Sequence, residues 1–186
     1  MSFVPLATHK PKKIYGPISR LLMRLVLIRH AHAVSMEEHV QRPLSTRGRD
    51  DTRRMTDFFK ANRQLTNYPF VWHSFLARSR ETANLMLPAF STDTNLVETP
   101  GLLPDDIVHP IAERLDHLGQ DVIIVGHEPH LSALGTLLIR GKEAPAAFDF
   151  PKSSVLALEM TGKIHKKNGL QRWRTRWFMT LDLLAS

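Results

Sequence analysis

Arg29, His30, Arg78 and His127 are the residues of this sequence whose types and placement could do chemistry together. Each follows directly on, or within a few residues of, a short apolar run that reads as a strand. Two arginines offer fixed forks of N–H donors that match a phosphate dianion. Two histidines can act as a nucleophile and as a neutral or cationic donor. Stabilising charge on a transferring phosphoryl group is the main task of a site for such chemistry, and this set does it without a metal.

The elements that must position these residues can be read from apolar patterning. Leu25–Ile28 is a continuous apolar run, as expected of a strand buried on both faces. Residues 31–45 read as a loop, and a helix is expected from about Ser45, as N-cap, to Asn62, with Thr52, Met55, Phe58 and Phe59 on its apolar face. Pro69–Trp72 reads as the second strand, about Arg78–Phe90 as a helix, and Asn95–Glu98 as a short strand. A loop over Pro100–Pro104 precedes a helix over Asp105–Leu118, with a break at Pro110. Val122–Val125 is the clearest buried strand, followed by a helix over about His130–Ile139. Ser153–Met160 and Leu170–Met179 read as two final strands. The alternation of strands and helices predicts an α/β fold, a three-layer α/β/α sandwich with a mainly parallel central sheet. Ligands of such sheets bind outside the carboxyl ends of the strands, where Arg29-His30, Ser74–Arg78 and Gly126-His127 all fall.

Leu27-Ile28-Arg29-His30-Ala31 resembles the signature of the histidine phosphatase superfamily, which includes the phosphoglycerate mutases. Arg42-Pro43-Leu44-Ser45 through Gly48 resembles that family's "RPLT…G" stretch. Ser74–Arg78 with Glu81-Thr82-Ala83 resembles "SPxxRAxQTA", and Val125–Pro129 the segment holding a second catalytic histidine. Four motifs in order, over about residues 24–160, look most like the SixA-type phosphohistidine phosphatases. The resemblance implies that His30 Nε2 attacks phosphorus to give a phosphohistidine intermediate that water hydrolyses. Arg29, Arg78 and His127 would hold the phosphoryl oxygens, with Arg42 assisting. No metal or organic cofactor is implied. The substrate implied is phosphohistidine in a protein, such as a histidine-containing phosphotransfer protein. Phe75 replaces the family's proline. The acidic proton donor of relatives that act on alkyl phosphates has no clear counterpart near Pro104, which fits a P–N bond. Glu128 and Asp106 are the fallback acids. Arg78 and His127 are 49 positions apart, leaving little chain for a lid domain.

Bulk properties set the remaining bounds. The chain has 186 residues, 42% hydrophobic and 23% charged, which suits one soluble domain. It has no cysteine, which excludes disulfides and thiolate metal sites and fits a cytoplasmic protein. The formal charge of +7 resides at the ends: residues 1–24 carry five Lys/Arg and no acid, and residues 160–186 carry six against Asp182. Residues 1–22, with Pro5, Pro11 and Pro17, read as a loose basic tail before a single domain over 23–186, with Met23 as an alternative start. Arg24 interrupts the apolar run that would otherwise suggest a signal peptide, and no run is long enough to span a membrane. His30-x-His32 and His127-x-x-His130 lack the carboxylate or thiolate that a metal site would add. Arg172, Arg174 and Arg176 alternate with Trp173 and Trp177, which predicts arginines on one strand face and tryptophans on the other. A packed and solvated strand accounts for that pattern better than nucleic-acid binding. Two alternatives stay open: a phosphatase of small monoesters on the same site, and a non-catalytic anion-binding regulatory module.

Overall fold

A computed structural model describes residues 22–184. Six strands form one sheet: β1 (Arg24–Arg29), β2 (Phe70–His73), β3 (Asn95–Glu98), β4 (Val122–Gly126), β5 (Val155–Ile164) and β6 (Gln171–Met179). Their order is β3-β2-β4-β1-β5-β6. The first four are parallel, and β5 and β6 run antiparallel. The helices are α1 (Thr46–Asn62), α2 (Ala77–Leu85), α3 (His109–Leu118) and α4 (His130–Arg140).

The apolar runs make two cores because side chains alternate across a strand. Leu25 and Leu27 of β1 join Val122 and Ile124 of β4 under α3 and α4, where Ile111, Leu115, Leu134 and Leu138 pack. Val26 and Ile28 join Ile123 and Val125 on the other face, against Met55 and Phe59 of α1 and Ala83 of α2. The result is the expected three-layer α/β/α sandwich. Among the described residues no helix is long and apolar enough to cross a membrane. Apart from Leu22, the tail expected over 1–22 lies outside the described residues.

Departures from expectation fall at two helix boundaries, in β6, and in β5, which spans Val155–Ile164 rather than Ser153–Met160. The helix expected from Asp105 begins at His109; Pro110 sits in its first turn, where a missing N–H costs nothing. Asp106 instead closes the preceding turn, accepting from the Leu103 N–H at 2.7 Å. The helix expected to reach Phe90 ends at Leu85, and a 3-10 helix over Leu87–Ala89 follows around Pro88, which disfavours helical backbone before it. The arginine–tryptophan alternation of β6 is broken by a bulge. Leu158 pairs with Thr175 while Ala157 pairs with Trp177, so Arg176 is an extra residue. Trp173 therefore enters the α3–α4 core and Trp177 stacks on Phe59 on the opposite face. Arg174 and Arg176 both bind Glu159.

The loop from β1 to α1 is closed by backbone contact. The Ser45 N–H donates to the His32 carbonyl at 3.0 Å, and the Ser45 side chain caps α1 by accepting from the Gly48 N–H at 3.1 Å. A Cβ on Gly48 would stand 1.9 Å from that same His32 carbonyl oxygen. No side chain fits there without moving the backbone. Gly48→Ala should therefore destabilise the fold by about 1–3 kcal/mol, measured as a lowered urea midpoint. An unchanged midpoint would mean that the α1–loop contact is not rigid.

Candidate active site

The carboxyl edge of the parallel strands gathers the predicted residues. Arg29, His30, Arg42, Arg78, Pro104, His127, Glu128 and Lys152 line a cavity of about 310 Å³. His30 leaves the sheet where β1 meets β4: the Arg29–Gly126 pair ends the register, and the His30 N–H donates to the Gly126 carbonyl at 3.0 Å. His127 follows Gly126 in turn, so the two imidazoles lie with ring centroids 4.9 Å apart.

Two contacts assign the tautomer of His30. Its Nδ1 is 2.7 Å from the Ala31 carbonyl, which can only accept, so Nδ1 carries the proton. Its Nε2 receives the Nε–H of Arg78 at 3.3 Å, which can only donate, so Nε2 presents a lone pair. Burial is the main cause that pushes the His30 pKa down to about 3; Arg78, Arg29 and Lys152 add to it, while the Ala31 hydrogen bond opposes it. His127 falls to about 2, first by burial and then through His30 and Arg78. Both rings are neutral at pH 7.

Arg78 is placed by hydroxyls that hold the start of α2. Thr82 Oγ1 donates to the Arg78 carbonyl at 2.8 Å and accepts the Ala31 N–H at 3.2 Å, joining α2 to the His30 loop. Ser79 Oγ donates to the Val125 carbonyl at 2.8 Å and accepts the Ser74 N–H at 3.3 Å, joining it to β4. The loop therefore reaches Arg78 without the family's proline, and Phe75 is half exposed. Arg29 donates to the Phe150 carbonyl, and its buried Nε has no partner among the described residues. Arg42 reaches the cavity from a left-handed backbone conformation, φ 48°, with its Nε–H donated to the Val34 carbonyl at 3.2 Å.

The two fallback acids part company. Glu128 lines the cavity, and burial raises its pKa, but its oxygens accept from the Ser132 N–H at 3.1 Å and hydroxyl at 2.5 Å. Asp106 is not brought to the cavity; it lines a neighbouring one with Ser74, Phe75 and Glu98. His32 stands beside the site with Nδ1 at 2.8 Å from Ser45 Oγ, and His130 is buried. Among the described residues no group of three His, Asp or Glu is placed to hold a metal ion.

Two site residues escaped the sequence reasoning. Ser74 Oγ lies 2.5 Å from His127 Nε2, so the family-like "S" of its motif touches a catalytic candidate directly. Lys152 lines the cavity from the start of β5. The parallel-strand rule does not reach it, because β5 runs the other way.

No protein-family model matches this chain, and no curated protein matches it. Solved structures do. The protein histidine phosphatase SixA in complex with tungstate superposes with a TM-score of 0.70 at 21% identity, over 88% of this chain and 100% of that one. A candidate phosphohistidine phosphatase SixA from Agrobacterium tumefaciens gives 0.63 at 23% identity, over 85% and 98%. A mycobacterial glucosyl-3-phosphoglycerate phosphatase gives 0.59 at 16% identity, over 83% and 97%. The chain thus has the phosphoglycerate mutase-like fold that these histidine phosphatase superfamily structures share.

Proposed function

We propose that this chain is a histidine phosphatase superfamily member that hydrolyses phosphohistidine in a protein substrate. The observation that carries the proposal is His30. It is a neutral imidazole with a fixed Nδ1–H and an Nε2 lone pair turned toward Arg78, in a cavity lined by four cations. That is a nucleophile beside an oxyanion site. His30 Nε2 attacks phosphorus and the P–N bond to the substrate imidazole breaks, the leaving nitrogen taking a proton from solvent. Water then attacks the phosphorus on His30, releasing phosphate and restoring the neutral ring. Arg29, Arg78 and Arg42 hold the phosphoryl oxygens. His127 joins them by donating from Nδ1, which has no partner among the described residues. A neutral ring can do so when the Ser74 hydroxyl donates to Nε2.

The choice of a P–N bond rests on the carboxylates. Glu128 is held by Ser132, and Asp106 is held by the Leu103 N–H outside the cavity. Neither is free to protonate an alkoxide, whereas imidazole leaves with less help. Likeness to SixA structures supports the same substrate class.

His30→Ala should abolish turnover, and Arg78→Ala should lower kcat on the order of 10²–10³-fold, the cost of losing one oxyanion donor. Near-normal rates in either variant would overturn the assignment. A phosphohistidine peptide should be a better substrate by kcat/KM than sugar or nucleotide monophosphates; clear preference for the esters would move the substrate to small molecules. Phosphate binding that survives His30→Ala, with no turnover of any substrate, would make the protein a binding module.

The depressed histidine pKa values carry a pH signature. Both rings are neutral in the folded protein down to acid pH, whereas in the unfolded chain they take up protons below about pH 6.5. Below that pH the unfolded state binds more protons, so stability declines toward about pH 3, on the order of 1 kcal/mol per pH unit for each ring. The urea midpoint should fall between pH 7 and pH 5, and fall less in a His30→Asn, His127→Asn variant. Nitrogen NMR should show both rings neutral at pH 5; a protonated His30 at that pH would remove the basis for its nucleophilicity.

A further inference from the structure

The charge around the phosphoryl cavity is out of balance. Arg29, Arg42, Arg78 and Lys152 face one carboxylate, Glu128, which Ser132 already engages. A phosphoryl dianion offsets two of the four positive charges. Lys152 has no carboxylate within ion-pair distance among the described residues. Burial first, and then Arg29, Arg42, Arg47 and Arg78, weaken its hold on its own proton. A cation kept among cations favours an anion beside it.

There is room for one. Lys152 also lines a second cavity of about 560 Å³, shared with His32, Arg47, Asp51, Arg54 and Asp182. Asp51 is engaged by Arg47 at 3.7 Å and Arg54 at 4.0 Å, and Arg54 donates to the Leu184 carbonyl at 2.8 Å. Asp182 is the carboxylate left to oppose an anion there. Within this cavity Lys152 and Arg47 both act on His32, lowering its pKa after burial does. The Arg47 side chain is 77% exposed and meets Asp51 only at 3.7 Å, so a ligand anion competes for it while Arg54 stays beside Asp51.

We propose that Lys152 and Arg47 form a second anion subsite beside the phosphoryl cavity, which selects substrates carrying a further carboxylate or phosphate near the scissile phosphoryl group. The inference rests on reading the cavity as a phosphoryl site. The second anion can come from an acidic side chain flanking the phosphorylated residue of a protein, or from a second phosphate on a small molecule.

Binding tests the subsite without turnover. Titration calorimetry with inorganic phosphate and with tripolyphosphate gives an affinity ratio, expected to be at least tenfold in the wild-type protein. Arg47→Gln and Lys152→Met should each cut that ratio at least threefold, while Lys163→Gln, at the far end of β5, should not. A ratio near one, or one that survives both substitutions, overturns the subsite. Kinetics then identifies the source. Phosphohistidine peptides with Glu or Gln beside the phosphohistidine form one pair, and a sugar bisphosphate with its monophosphate the other. The anion should raise kcat/KM in one pair, with the advantage lost in Arg47→Gln. Equal kcat/KM in both pairs overturns the proposal. An intact binding ratio with no turnover of any substrate refutes the phosphatase reading alone.

Discussion

β1 and β4 lie side by side, parallel, with Arg29 opposite Gly126, and the His30 N–H closes that register onto the Gly126 carbonyl at 3.0 Å. The placement of both histidines follows from this pairing. It sets two histidines, 97 residues apart in the chain, at neighbouring strand ends with their rings 4.9 Å apart. A slip of one residue would turn Leu25 and Leu27 into the wrong core and carry His30 to the other face of the sheet. The register is held from both sides, because Leu25–Ile28 of β1 and Val122–Val125 of β4 fill two cores at once. Gly126 allows the turn into α4, since a Cβ there would press within 3.1 Å of the Leu131 side chain.

Burial and charge then act on the histidines in the same direction. Desolvation and the nearby arginines keep both rings neutral, which is the state a nucleophile needs. A bound phosphoryl group would reverse the effect of the arginines. Its negative charge offsets the arginines and raises the proton affinity of His127, whose Nδ1 has no partner among the described residues. Under the proposed phosphatase reading, one pocket can thus favour attack from His30 when ligand enters and donation from His127 once charge has built up. Neither role requires a carboxylic acid. That makes the engaged states of Glu128 and Asp106 consistent with a leaving group that needs little protonation.

The features that strict spacing controls were legible in the sequence. Short apolar runs located β1, β2, β3 and β4, and the strand-end rule brought Arg29, His30, Arg78 and His127 to one edge, where the structure places them in one cavity. The failures came where a specific contact overrode the expected pattern. The turn before α3 is held by Asp106 bonding the Leu103 N–H, a contact that no helix propensity reveals. The alternation in β6 is interrupted by Arg176, and a bulge is decided by the partner strand. Ser74 was visible as part of a motif, but its contact with His127 depends on how β2 and β4 pair.

Lys152 shows why one site residue lay beyond a rule that worked for the others. Ligands collect at the carboxyl ends of parallel strands because that edge gathers the loops leading into helices. β5 enters the sheet antiparallel beside β1, pairing Val155 with Ile28, so its amino end arrives at the same edge. The Arg29 N–H donates to the Ser154 carbonyl at 3.0 Å, tying that arrival to the strand end that leads into His30. The segment Phe150–Ser154 thereby supplies a carbonyl that holds Arg29 and a lysine that faces the cavity. What counts at such a site is the edge, not the direction in which the chain crosses it. A mixed sheet can then add an antiparallel strand that widens the charged surface around a phosphoryl group while the parallel strands keep the reacting groups in register.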